Sequence, residues 1–292
     1  MSVQSMAHTV LANIRRDNIR LEDYITVNQH LKQQGRSTKG ELIIGMPGET
    51  KDSFVRGLAQ VIGAGVSSVC SYTLMLLHGT EFKDPAYREQ FKIQGKHRIV
   101  PLDFGEYAGE RVFDTEEVGV STNTMSFEDY LWIRGLTLIV EIMHNNRPFD
   151  ELIRYGVDLG VTRFQLIKRA YDSLERAPAA VRSVVQRFME ETRAELWDSE
   201  QALEECYRRD EQYARLLRGE TGGNLIYKYK AVSLAHCSQG WAGYLGMMLN
   251  EMVQDQRGAD GPRREAAQEI DLLVRYVTSK LAGVLNVDSD VG

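Results

Sequence analysis

The chemistry this chain could perform is concentrated at a few short stretches, and the first is Gly45-Met46-Pro47-Gly48-Glu49-Thr50. It follows the apolar run Glu41-Leu42-Ile43-Ile44 and precedes a helical pattern. A glycine at the end of a strand lets a ligand come close to the backbone, because no side chain stands in the way. The helix start that follows offers N–H groups without partners. A plain strand-to-helix turn would use the same residues, with Pro47-Gly48 reversing the chain. No Gly-Lys-Ser/Thr follows, which disfavours a nucleoside triphosphate, and the segment is not G-x-G-x-x-G either.

Other candidates are less specific. His78 follows a strand end, where it can reach a substrate or face solvent. Asp103, Glu106 and Glu110, with Tyr107 among them, can serve as acid, base or substrate anchor in a cleft, or form a solvated loop. No residue is assigned as catalytic. Cys70, Cys206 and Cys237 are far apart, with no C-x-x-C spacing, and their odd number does not suggest a disulfide framework. Cys70 reads as a small buried hydrophobe and no metal site is expected. His236 and Cys237 are neighbours, about 100° apart on a helix, and make a poor metal pair. His144 with Asn145-Asn146 reads as a helix C-cap, where a cation suits the dipole.

The elements that must position these residues alternate in period. Ser2–Ser5 reads as the end of a strand. Val10, Leu11 and Ile14, then Tyr24, Val27 and Leu31, space as helix faces. Glu41–Ile44 is expected to be a strand covered on both faces, as in a parallel sheet. Thr50 caps the next helix, whose stripe is Phe54, Leu58, Val61 and Ile62, and Val66–Leu77 is the next strand. This order predicts a β/α sheet or barrel, with ligands at the carboxyl ends of the strands. From Asp84 to Thr124 the pattern is irregular, with strands at Arg98–Leu102 and Glu117–Thr122. After Ser126 the chain reads as helical, including one long helix from Pro178 to Leu217 and another through His236–Met252. The expected division is 1–124, α/β, and 125–292, helical. Trp132, Trp197 and Trp241 read as core or interface anchors.

The 292 residues are enough for a sizeable core, and 43% hydrophobic with 26% charged residues is ordinary globular composition. A net charge of −6 without a basic patch argues against nucleic acid. The N-terminus has no signal-peptide pattern and no apolar segment is long enough for a membrane, so a cytoplasmic protein without membrane contact is expected.

Taken in order, three pieces are more specific than any one: Ser2-Val3-Gln4-Ser5 with Arg16-Asp17-Asn18 downstream, then Glu41–Thr50, then Tyr72-Thr73-Leu74-Met75-Leu76-Leu77-His78-Gly79-Thr80. Their order and spacing resemble the later strands of radical S-adenosylmethionine (SAM) enzymes, and more narrowly the subgroup that usually carries a cobalamin-binding domain. Thr122–Tyr130 and the helix after it extend the resemblance to roughly the first 145 residues. It implies a partial radical-SAM (β/α) barrel, later strands only, ahead of a mainly α-helical C-terminal domain. It also implies Gln4 and Ser5 near SAM, Arg16 in the following helix region, and Ile43 or Ile44 against the adenine. Gly45 would begin the turn that Glu49 orders, and Tyr72 to Leu76 would present backbone to the adenine, with Tyr72 and Met75 as the cofactor-binding candidates. His78, Glu106 and Tyr107 are the candidates for a small-molecule or peptide substrate.

One departure matters. The family's Cys-x-x-x-Cys-x-x-Cys, which holds a [4Fe-4S] cluster, is absent from this sequence. Cluster and cobalamin are therefore expected only in an intact enzyme, and the chain reads as its C-terminal portion, inactive alone. A missing N-terminal half is then the expected partner. In the whole enzyme the resemblance implies one-electron cleavage of SAM to a 5′-deoxyadenosyl radical, followed by methyl transfer or rearrangement. The alternative is a non-catalytic helical interaction module on a half-barrel scaffold, supported by the mixed charge along Pro178–Leu217.

Overall fold

The computed structural model describes residues 2–256 and 263–285. Three short strands, β1 (Ser2–Gln4), β2 (Lys39–Ile44) and β3 (Ser68–Thr73), pair in parallel in the order β1-β2-β3. They form an open sheet, and no closed barrel exists among the described residues. Helices α1 (His8–Asn13) and α2 (Leu21–Gln33) link β1 to β2, and α3 (Lys51–Gly63) links β2 to β3. Beyond β3 come α4 (Pro85–Phe91) and an antiparallel hairpin, β4 (Gln94–Tyr107) and β5 (Glu110–Ser121).

The start of α3 is fixed by a reciprocal cap. Thr50 Oγ1 accepts from Ser53 N–H at 3.0 Å, while Ser53 Oγ accepts from Thr50 N–H at 2.9 Å. Phe54, Leu58, Val61 and Ile62 then face Leu42 and Ile44 in the core. β2 is not covered on both faces as its apolar run suggests. Leu42 and Ile44 are buried while Glu41 and Ile43 are only half-buried, a period of two that marks one covered face and one open one. β3 ends at Thr73 rather than Leu77. Past it, Gly119 N–H donates to Leu74 O at 2.8 Å and Leu76 N–H to Glu117 O at 2.9 Å, so β5 takes over the ladder.

The segment expected to be irregular is thus an extended hairpin. Ala108 and Gly109 both adopt positive φ, +52° and +83°, as a two-residue turn matched to the strand twist requires. Leu102, also at positive φ, marks an interruption in the pairing, and its N–H donates to Gly222 O at 3.0 Å.

The helical remainder is α5 (Phe127–Met143), α6 (Asp150–Asp158), α7 (Arg163–Asp172), α8 (Ala179–Ala194), α9 (Glu200–Tyr207), α10 (Asp210–Leu217), α11 (Leu225–Gln256) and α12 (Arg263–Leu285). The expected single helix from Pro178 to Leu217 is three helices. Trp197 leaves the helical path to exchange backbone hydrogen bonds with His97 of β4, both at 2.8 Å. Conversely, α11 runs unbroken from Leu225 to Gln256, longer at both ends than the helix read through His236–Met252. Ser126 caps α5 as read from the sequence, and nearly every residue of that helix from Tyr130 onward is buried. One continuous core joins Val3, Leu42 and Ile44 of the sheet to α5, to Trp241 and Leu245 of α11, and to Leu281 of α12. No helix among the described residues is long and apolar enough to cross a membrane.

Candidate functional site

The three sequence pieces meet at the carboxyl ends of β1–β3, and Glu49 is the knot. Its buried carboxylate accepts from Ser5 Oγ at 2.5 Å and from Ser53 Oγ, and its carbonyl accepts from Thr124 Oγ1 at 2.7 Å. Burial pushes the Glu49 pKa up, against the pull of the two serine hydroxyls. Asn18 Nδ2 donates to Ser5 O at 2.7 Å, and Asn13 Nδ2 donates to Pro47 O at 3.0 Å. The end of β1, the chain after α1 and the Gly45–Thr50 turn are therefore one hydrogen-bonded unit.

That turn is largely interior. Gly45 adopts φ +89°, and a Cβ there would stand 3.0 Å from Gly119 O, so its glycine is required by the close backbone of β5. Of the turn residues, Met46 alone faces the adjoining cavity.

The cavity has a volume of about 500 Å³, within the range of small-molecule sites. Gln4, Arg16, Ile43, Tyr72 and Met75 line it, with Met46 and Leu74 as part of its apolar wall. Gln4 is held at φ +53°, in the left-handed region unusual for a residue with a side chain, where the pairing of β1 with β2 shifts register. Lys39 Nζ donates to Tyr72 Oη at 2.8 Å and pairs with Glu41 at 3.0 Å, which anchors the Tyr72 side chain at the rim. Tyr72, Met75 and Leu77 are 42–50% exposed, a concentration of large apolar side chains on the open face.

Of the two isoleucines offered for the adenine, Ile43 lines the cavity, while Ile44 is fully buried against the helices on the other face. Ser5 and Glu49 brace the end of β1 without lining it. His78 is exposed and outside it. Glu106 and Tyr107 lie next to the hairpin turn, both exposed, with Glu106 3.5 Å from Arg111, and neither lines the cavity.

Sequence reasoning missed Glu41 and Phe82, which also line the cavity, and Thr124, whose bond to the Glu49 carbonyl closes the turn. Glu41 was legible: it alternates with Ile43 on one face of β2.

No family model matches the chain. Over 56% of its length it is similar to enzymes of one kind. A cobalamin-dependent radical SAM methyltransferase, TokK of Streptomyces tokunonensis, is 30% identical over 173 residues, covering 24% of that enzyme. The 2-(S-pantetheinyl)-carbapenam-3-carboxylate methyltransferase of Streptantibioticus cattleyicolor is 28% identical over 170 residues, again 24% of its length. The chain matches about a quarter of the length of these relatives.

The cofactors this likeness implies fit the residues unequally. The cavity joins apolar Ile43 and Met46 to polar Gln4 and Arg16, the mixed lining that SAM would need. An iron–sulfur cluster does not fit. Cys70 and Cys206 are half-buried on β3 and α9, and Cys237 is buried on α11. No group of three or more His, Cys, Asp or Glu among the described residues can hold a metal ion. Cys70, expected to be a buried hydrophobe, instead borders a second, smaller cavity beside the first.

Proposed function

We propose that this chain is the SAM-binding and substrate-binding portion of a radical SAM methyltransferase that is cobalamin-dependent when whole. The reading is carried by one observation. Gln4, Arg16, Ile43, Tyr72 and Met75, which the family resemblance places beside SAM, converge on a single cavity at the strand ends. The partial likeness to two methyltransferases supports the same class.

In this reading SAM supplies a methyl group and, with an electron from outside this chain, radical chemistry. The chain's own residues bind and shield. Ile43 is the apolar wall for the adenine, and Gln4 with Arg16 takes the methionine end. Glu49 holds Ser5 and the turn in place, so the cavity is formed before SAM arrives. Met46, Leu74 and Met75 exclude water from the reacting region.

The partner is a protein segment bearing the three-cysteine motif, as part of a longer chain or in trans. The open face of β1–β3 and the edge of β1, beyond which no strand lies among the described residues, support that docking, since parallel strands are ordinarily covered on both faces. The helix invoked for a purely helical interaction module is broken into three. Two of its charges pair within the chain, Arg193 with Glu128 at 2.8 Å and Glu191 with Lys228 at 2.7 Å.

Saturation-transfer NMR of the full chain with SAM tests the proposal. Transfer is expected to be strongest at the adenine protons and to be lost in Ile43→Asp. No transfer, or transfer unchanged in Ile43→Asp, would overturn it.

A further inference from the structure

A second cavity, of about 110 Å³, lies between β3, β4, α5 and the start of α11. Tyr72 and Thr73 line both cavities, so the two are neighbours across β3. The smaller one is lined by both Arg134 of α5 and the first turn of α11.

Arg134 of α5 lines this cavity with only 6% of its surface exposed, and among the described residues no acceptor reaches its Nε. A buried guanidinium with an unmet donor is costly unless something fills the place. Its flank rests over the Phe188 ring, 5.9 Å from the centroid, which fixes the group's direction. The opposite wall is the first turn of α11. Asn224 caps that helix by accepting from Tyr227 N–H at 3.2 Å. The N–H groups of Leu225 and Ile226 have no helical acceptor, and both residues line the cavity. A helix of 32 residues adds its positive end there.

The other charges narrow the choice of ligand. Arg98 is committed to Glu116 at 2.7 Å and to Glu195 at 3.2 Å, and Glu141 to Lys230 at 2.8 Å. Glu195 lies in the field of both arginines, with burial pushing its pKa up against them. With these carboxylates close by, a dianion is disfavoured. The volume holds several water-sized groups, at about 10–15 Å³ each, and excludes anything as large as a nucleotide.

We propose that this cavity is a carboxylate-binding subsite, in which Arg134 and the α11 N-terminus hold the carboxylate of a small molecule whose remainder extends past Tyr72 and Thr73. The assignment of that molecule as the methyl acceptor rests on the SAM reading above; the subsite itself does not.

Calorimetric titration of the full chain with butyrate, butyramide and inorganic phosphate tests it, without SAM. Butyrate is expected to bind saturably, butyramide about tenfold more weakly or worse, and Arg134→Met to lose about tenfold in butyrate affinity. Gly223→Asp is the variant that leaves the core alone. A Cβ there meets no atom within 4 Å, and the added charge at the cavity wall should weaken butyrate about fivefold with an unchanged unfolding midpoint. Butyramide binding as well as butyrate, phosphate binding more tightly than butyrate, or full affinity in folded Gly223→Asp would each overturn the subsite. Because no SAM is present, a failure here is separate from a failure of the SAM-transfer experiment.

Discussion

The two sides of the three-stranded sheet are built on opposite terms. On the closed side, Leu42, Ile44 and Val69 pack under α3 and α5, and the β3 edge is sealed. The Asn145 side chain stands in for a strand there. Its Oδ1 accepts from Val69 N–H and its Nδ2 donates to Val69 O, both at 2.9 Å. Farther along, β5 continues the ladder. On the open side, Glu41, Ile43 and Tyr72 face a cavity, and β1 has no strand beyond it among the described residues. The closed side carries the core, and the open side carries a cavity.

The largest test sets neighbouring residues against each other. Ile44→Ala removes a fully buried side chain and should cost about 3–4 kcal/mol by urea denaturation. Ile43→Ala should cost less than about 1 kcal/mol, since that side chain is only half-buried. Equal costs would break the comparison.

Next is the sealed edge. Asn145→Ala leaves both Val69 backbone groups unpaired in the interior, at an expected cost of about 2–4 kcal/mol. A loss below about 1 kcal/mol would mean that water replaces the amide and that the edge is not closed.

The residue beside it reports through pH. His144 is the C-cap residue of α5, but it is not the cation that a C-cap histidine suggests. It is buried with neither ring nitrogen bonded among the described residues, and burial pushes its pKa down to about 3. Arg163, Arg147 and Lys32 reinforce that shift and Asp150 opposes it. An unfolded chain protonates this histidine near pH 6.5, whereas the folded chain refuses the proton. Stability should therefore be level above pH 6.5 on this account and fall toward pH 3 by at most about 1.4 kcal/mol per unit. In His144→Leu the fall from pH 6.5 to pH 5 should be smaller by about 2 kcal/mol. An acid limb of unchanged slope would show that the site is wetter than its burial implies.

How much of this was legible in sequence followed the range of the interactions. The caps at Thr50 and Ser126 and the stripe Phe54–Ile62 were readable, because each depends on residues within a turn or two of one another. The strand–turn–helix around Gly45 was readable for the same reason. What Gly45 is for was not, since the atom that excludes a side chain, Gly119 O, is 74 positions away. Trp197 breaks the expected long helix by pairing with His97, which no local pattern announces. Asn145 reads as an ordinary helix stop until Val69 is brought to it. Arg134 lies within the apolar run of α5, and only the arrival of α11 sets it in the wall of a cavity.

The smallest effect is expected at the β1 edge, and it bears on whether the open side is truly unfilled. Unpaired strand edges template association, and a charge placed on such an edge blunts it. Ser2→Lys should lower the self-association constant measured by sedimentation roughly fivefold, about 1 kcal/mol, at unchanged fold stability. The same variant should weaken docking of a three-cysteine segment supplied in trans, if that segment adds its strand beside β1. A chain that stays monomeric at high concentration with or without the lysine would mean that the edge is already protected. The open face would then be a ligand cavity alone, and the docking of a second protein segment would have to be sought elsewhere on the molecule.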